Sequence, residues 1–220
     1  AAAVIAVLMD HYVSFSIRDV VNQFHGLYRS VAGVGIGKDP ETLFKELWEF
    51  LVVRLRGRLE EEGIRYDVVE AAAHGSDDPS RVRILAKALH GVVDEGWMRG
   101  VIKTADRVGR LSANAKSGQF QESTLVQTEE KNLHTLFLDV SERVQGAVRT
   151  SDFARALKEL SRLTEPVEIY FDKVMVMHED PKLRENRLGM LKRLAELFRS
   201  VADLPRIVLQ KDTPAEVRAG

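Results

Sequence analysis

The sequence predicts an all-α fold, and three observations carry that expectation. Apolar residues recur at spacings of three and four in almost every segment, the period of an amphipathic helix. No segment alternates apolar and polar residues as a half-buried strand would. Asp-Pro pairs at 39–40, 78–79 and 180–181 each offer an N-cap followed by proline at the first helical position, where a missing N–H costs nothing.

The elements follow in order. Ile17, Val20, Val21, Phe24, Leu27, Tyr28 and Val31 fall on one face of a first helix, and the glycines at 33, 35 and 37 break it. Asp39-Pro40-Glu41 starts the next, with an acid near the positive helix end. Its inward face is expected to hold Leu43, Phe44, Leu47, Phe50, Leu51 and Leu55, and Gly63 is its expected stop. Asp67-Val68-Val69-Glu70 has capping-box spacing and predicts a short helix that ends near Gly75. Asp78-Pro79 predicts another that ends near Gly91, and a longer helix is expected over 95–114. Residues 115–128 are polar and read as an exposed loop. Helices are then expected at 129–149, 152–162, 165–177 and 181–202, with Val174 to Met177 as core at a helix end and a frayed segment from Pro205 onward. The main compositional break is the Gly-rich stretch, so the expected organisation is 1–38 as the end of a preceding domain, 39–210 as one helical domain and 211–220 as a flexible tail.

Composition excludes several classes. At 220 residues the chain can bury a full core, and 45% apolar with 30% charged residues describes an ordinary soluble protein. The absence of cysteine excludes disulfides, thiolate metal sites and cysteine nucleophiles, and it fits a reducing, cytoplasmic setting. The apolar run 1–9 is too short for a membrane span and lacks a basic leader. The chain does not begin with Met and is expected to be a fragment of a longer protein. The six histidines show no i,i+4 pair and no His-Glu-x-x-His arrangement, so no metal site is expected. The glycine run is not a phosphate loop, because Ala32 and Asp39 stand where that pattern needs Gly and Ser or Thr.

One constellation stands out. Net charge is only −1, yet Arg99, Lys103, Arg107, Arg110 and Asn114 step by 4, 4, 3 and 4 residues and form one stripe along a helix. Met98, Val101, Ala105 and Val108 form the opposite, core seam. Between Arg99 and Lys116 there are five basic residues and one acid, Asp106. A stripe of this kind neutralises phosphates, and arginine also stacks on or hydrogen-bonds unpaired bases. The same charges would otherwise be a solvated helix face. Arg54, Arg56 and Arg58 make a second cluster, read as a charged helix surface balanced by Glu60, Glu61 and Glu62. Basic residues on the last helix, Arg187 among them, could face RNA or solvent equally.

A longer pattern identifies a family. Phe171-Asp-x-Val-Met-Val-Met177, a short acidic turn and Leu183-Arg-x-Asn-Arg-Leu188 resemble the C-terminal end of the β subunit of bacterial glycyl-tRNA synthetase. So do Phe50-Leu51-x-x-Arg54-x-Arg56, Glu62-Gly63, Asp67-Val68-Val69, the Arg107-Val108 pair, and Leu191-x-x-Leu194-x-x-Leu197-Phe198-x-x-Val201-Ala202-Asp203. The resemblance implies a helical bundle of the anticodon-binding type shared with arginyl-tRNA synthetase. It also implies a parent ligase that joins glycine to tRNA with ATP and Mg²⁺, chemistry that belongs to a catalytic α subunit or α region. This fragment would carry no catalytic residue and no cofactor, and its partners would be the tRNA(Gly) anticodon stem-loop and that catalytic part, with no DNA and no membrane. The competing reading is a helical scaffold that docks the catalytic subunit without touching RNA. Glycine anticodons end in two cytosines, so a reader must grip the loop phosphates and recognise those bases. Arg99, Lys103, Arg107, Arg110 and Asn114 are the expected RNA-facing set, with Arg54 and Arg187 beside them.

Overall fold

The computed structural model describes Val7 and residues 13–32, 37–116 and 118–209. The expected break at 33–36 and tail at 211–220 lie outside them, as does the Val31 side chain. Nine α-helices of eight residues or more are described: α1 Ile17–Ala32, α2 Pro40–Glu61, α3 Tyr66–Ala73, α4 Pro79–His90, α5 Gly96–Ser112, α6 Thr128–Arg149, α7 Phe153–Ser161, α8 Thr164–Lys173 and α9 Pro181–Val201. Single 3-10 turns occupy Glu122–Thr124 and Leu204–Arg206, and no strand occurs among the described residues.

Local chemistry sets the helix starts. Asp39 accepts from Thr42 N–H, Asp78 from Ser80 and Arg81 N–H, and Asp180 from Lys182 N–H, each with proline next in the chain. Gly63 follows the end of α2 at φ +87, the left-handed conformation that glycine adopts without a Cβ penalty. Asp67 does not cap α3 as its spacing suggests. It lies inside the first turn, 2% exposed, and ties Arg65 (2.5 Å) to the Val208 N–H (2.7 Å).

α5 lies at the centre of the bundle, against α9, α7, α8 and the Leu204–Arg206 turn, while α6 packs on α7 and α8. α3 and α4 pair and join α2. Met98, Val101, Ala105 and Val108 of α5 are all buried, as the seam predicts.

Four expectations are corrected. Ile17 is buried, but Phe24, Leu27 and Tyr28 of α1 are 65%, 58% and 57% exposed, because among the described residues α1 packs mainly on α2. On α2 itself, Leu47 and Phe50 face outward while Phe44, Leu51 and Leu55 are buried. α8 ends at Lys173, and the chain beyond it is non-helical with alternating exposure: Val174 and Val176 point inward, Met175 and Met177 outward. The end at 204–207 is packed, with Leu204 and Ile207 buried, whereas segment 118–127 is largely exposed as expected and anchored by the buried Leu125.

Candidate nucleic-acid interface

α5 separates its residues cleanly. Its buried seam fixes the rotation of the helix, so Lys103, Arg107, Arg110 and Asn114 point to solvent. Lys103 has no ion-pair partner among the described residues. Arg107 also lacks a carboxylate partner there; its guanidinium lies 4.0 Å over the Phe171 ring of α8. Stacking steadies that long side chain and leaves its N–H edges turned outward, the geometry suited to phosphate or base. Arg110 is bound by Asp106 one turn earlier (Nε to Oδ1 2.8 Å), and that carboxylate holds the guanidinium even more firmly charged. Asn114 closes the helix end by donating to the Leu111 carbonyl at 3.2 Å. Arg99 sits half-buried at the other end of the helix, in a small cleft with Arg65, Asp94 and Val208.

Two expected residues stand elsewhere. Arg54 is on α2, which packs mainly on α1, α3 and α4. Its guanidinium lies 3.3 Å over Phe50 and donates to the Phe50 carbonyl at 2.8 Å. Arg187 is corrected outright: it is 4% exposed and cannot present its guanidinium to RNA. Its Nε donates to Glu130 at 2.7 Å and its Nη1 to the Met175 carbonyl at 2.8 Å, because α9 and α6 close over them. Burial pushes the Glu130 carboxyl up, but Arg187 and the N–H groups of Gln127 and Val126 together hold it below its ordinary value of 4.5. This pair welds α6, the segment before it and the α8–α9 link into one unit.

Sequence reasoning missed a polar cleft at the C-terminal end of the stripe. Gln119, Gln121 and Thr124 line one wall, and Lys182, Glu185 and Asn186 of α9 line the other, around about 520 Å³. Lys116, which extends the stripe, donates its N–H to Glu185 at 3.2 Å and joins the two features. The first wall is seated on α9 at Gly189, where an added Cβ would stand 2.1 Å from the Gln119 carbonyl oxygen. A lone glycine inside a helical pattern is the one sequence signal that pointed to this close approach. No group of three His, Cys, Asp or Glu among the described residues could hold a metal, and no described helix is long and apolar enough to cross a membrane.

Comparison with known proteins supplies the family. Residues 102–207 match the DALR anticodon binding domain, a stretch that includes most of α5 and everything packed behind it. The chain is 29% identical over 211 residues to the glycine–tRNA ligase beta subunit of Desulforamulus reducens, covering 96% of this chain and 30% of that protein. It is 31% identical over 209 residues to the corresponding protein of Syntrophomonas wolfei, at 94% and 30% coverage. With that of Myxococcus xanthus it shares 37% over 171 residues, at 73% and 24% coverage. The chain thus spans about 30% of the length of the first two relatives. Over that shared length it belongs to the glycine–tRNA ligase beta-subunit family, and its residues 102–207 are a DALR anticodon-binding domain.

Proposed function

We propose that this chain is the anticodon-recognition part of a glycine–tRNA ligase, and that the outward face of α5 is its phosphate-gripping surface. The observation that carries the reading is the coincidence of two things on one helix. The DALR match takes in α5 from Ile102 onward, and Lys103 and Arg107 hold there two exposed positive charges with no carboxylate partner among the described residues. In an otherwise neutral protein, such charges attract an anion, and each phosphate neutralised releases counterions. In this reading Lys103, Arg107 and Arg110 lie along the backbone of the tRNA(Gly) anticodon loop, with Arg99 and Asn114 at the ends of the track.

Ligation itself, with its ATP and Mg²⁺, belongs in this reading to a catalytic α subunit or region of the same synthetase, and no residue of this chain is assigned to it. The compartment would be the cytoplasm. The test is a titration with a glycine anticodon stem-loop at several salt concentrations. The double variant Lys103→Glu/Arg107→Glu should bind more than about tenfold more weakly, with a shallower salt slope. Unchanged affinity at about 100 mM salt, where charges still act over roughly 10 Å, would overturn the assignment.

A further inference from the structure

We propose that the cleft between the 119–124 segment and the first turns of α9 is a pocket for one splayed-out cytosine, read by Glu185 and Asn186. The inference rests on the RNA-binding reading above and deepens it by naming where a base is recognised.

The cleft is built, not incidental. Two fastenings hold its first wall against α9. Gly189 lets the Gln119 backbone approach more closely than any side chain would allow, and Asn186 Oδ1 accepts the Gln121 N–H at 2.6 Å. That second fastening fixes the amide: with Oδ1 committed to the backbone, Nδ2 must point the other way. Asn186 is 7% exposed and lines the cleft, and among the described residues no protein acceptor takes its Nδ2 hydrogens. That nitrogen is not sealed off from solvent, so a base that enters the cleft can replace water as its acceptor. Beside it, Glu185 receives among the described residues only the Lys116 N–H, at Oε2, which leaves Oε1 for the cleft it lines.

The pair presents an acceptor next to a donor in a space of about 520 Å³, which is of small-ligand size. Cytosine matches it: the N4 amine donates to Glu185, and N3 or O2 accepts from Asn186 Nδ2. Uracil does not, because it sets its O4 carbonyl against the Glu185 carboxylate, and such a repulsive element is what produces specificity. Placement agrees as well. Lys116 leads from the α5 stripe directly to Glu185, so a backbone held on α5 would deliver a base to the cleft.

The experiment measures binding of the chain to a glycine anticodon stem-loop and to loops in which each anticodon cytosine in turn is uracil. Glu185→Gln keeps an oxygen for the Lys116 N–H and adds a donor; Asn186→Asp keeps an oxygen for the Gln121 N–H and removes the donors. Both should reduce the preference for cytosine at one position by roughly tenfold, with salt slope and helical circular dichroism unchanged. If the unaltered chain binds but does not discriminate, or if both variants discriminate as it does, the pocket is wrong while the RNA-binding reading stands. If the unaltered chain does not bind the stem-loop at all, both readings fall together.

Discussion

α5 and α1 separate apolar from polar residues to the same degree along their lengths, yet their apolar faces meet opposite fates. On α5 the seam from Met98 to Val108 is sealed, and the charges opposite it are therefore fixed in direction. On α1 Ile17 is buried and Val21 is half-buried against the core, while Phe24, Leu27 and Tyr28 lie open. Helical periodicity tells which residues share a face. It does not tell whether anything packs on that face, which depends on elements far away in the chain. The contrast extends to charge. The packed half buries the Arg187–Glu130 pair, whereas the α1–α2 hairpin holds Arg18 and Glu41 together in the open, with side chains 42% and 48% exposed.

The ion pairs should break the comparison most visibly. Arg187→Met leaves Glu130 buried without its partner and should cost about 3–5 kcal/mol in chemical denaturation, whereas Arg18→Met should cost at most about 1 kcal/mol. The pH dependence gives a second reading. Glu130 is held below its ordinary value of 4.5 in the folded protein, so its contribution is present above that pH and is lost as pH falls through the folded value. In Arg187→Met the same carboxyl loses the guanidinium while burial and the Gln127 and Val126 N–H groups remain, so it titrates higher than in the unaltered protein. The gap between variant and unaltered protein should therefore shrink as pH drops below 4.5, and a gap independent of pH would place the damage in packing instead of charge.

Next in size is the seam itself. Met98 is fully buried under α5, and Met98→Ala should destabilise by about 2–5 kcal/mol through lost burial and a cavity. The melting temperature should fall accordingly. A loss below about 1 kcal/mol would mean that the centre of the bundle collapses around the gap instead of resisting it.

These residues also show how far the sequence was legible. The starts of α2, α4 and α9 could be read because an Asp-Pro cap is closed within three residues. The α5 stripe could be read because its period continues over the whole helix. Asp67 was misread as a cap because its partner Val208 lies 141 positions away. Arg187 looked like any other cation on an amphipathic helix, since Glu130, 57 positions earlier, carries no local mark of its role. Met175 and Met177 were assigned to the core by continuing a helical period past Lys173, where the chain leaves the helix. The polar cleft was hidden inside a segment whose composition announces only a loop. Its one trace, Gly189, reports a backbone approach and not a site.

The smallest expected effect is the one that sharpens the contrast most. Phe24 is the most exposed aromatic residue of α1, and Phe24→Ala removes a ring that touches little of the protein. A phenylalanine truncated in a core costs about 3–5 kcal/mol, whereas a surface substitution away from caps and networks stays within about 0.5 kcal/mol. The prediction is a denaturation midpoint indistinguishable from that of the unaltered chain, with slightly better solubility as apolar surface is removed. Should the midpoint instead fall as it does for Met98→Ala, the face would be covered in solution, and a parallel drop in sedimentation coefficient would show that another copy covers it. With an unchanged midpoint, α1 remains a helix whose apolar side is formed by sequence and left unsealed by this fold. The two helices would then differ only in what stands opposite them.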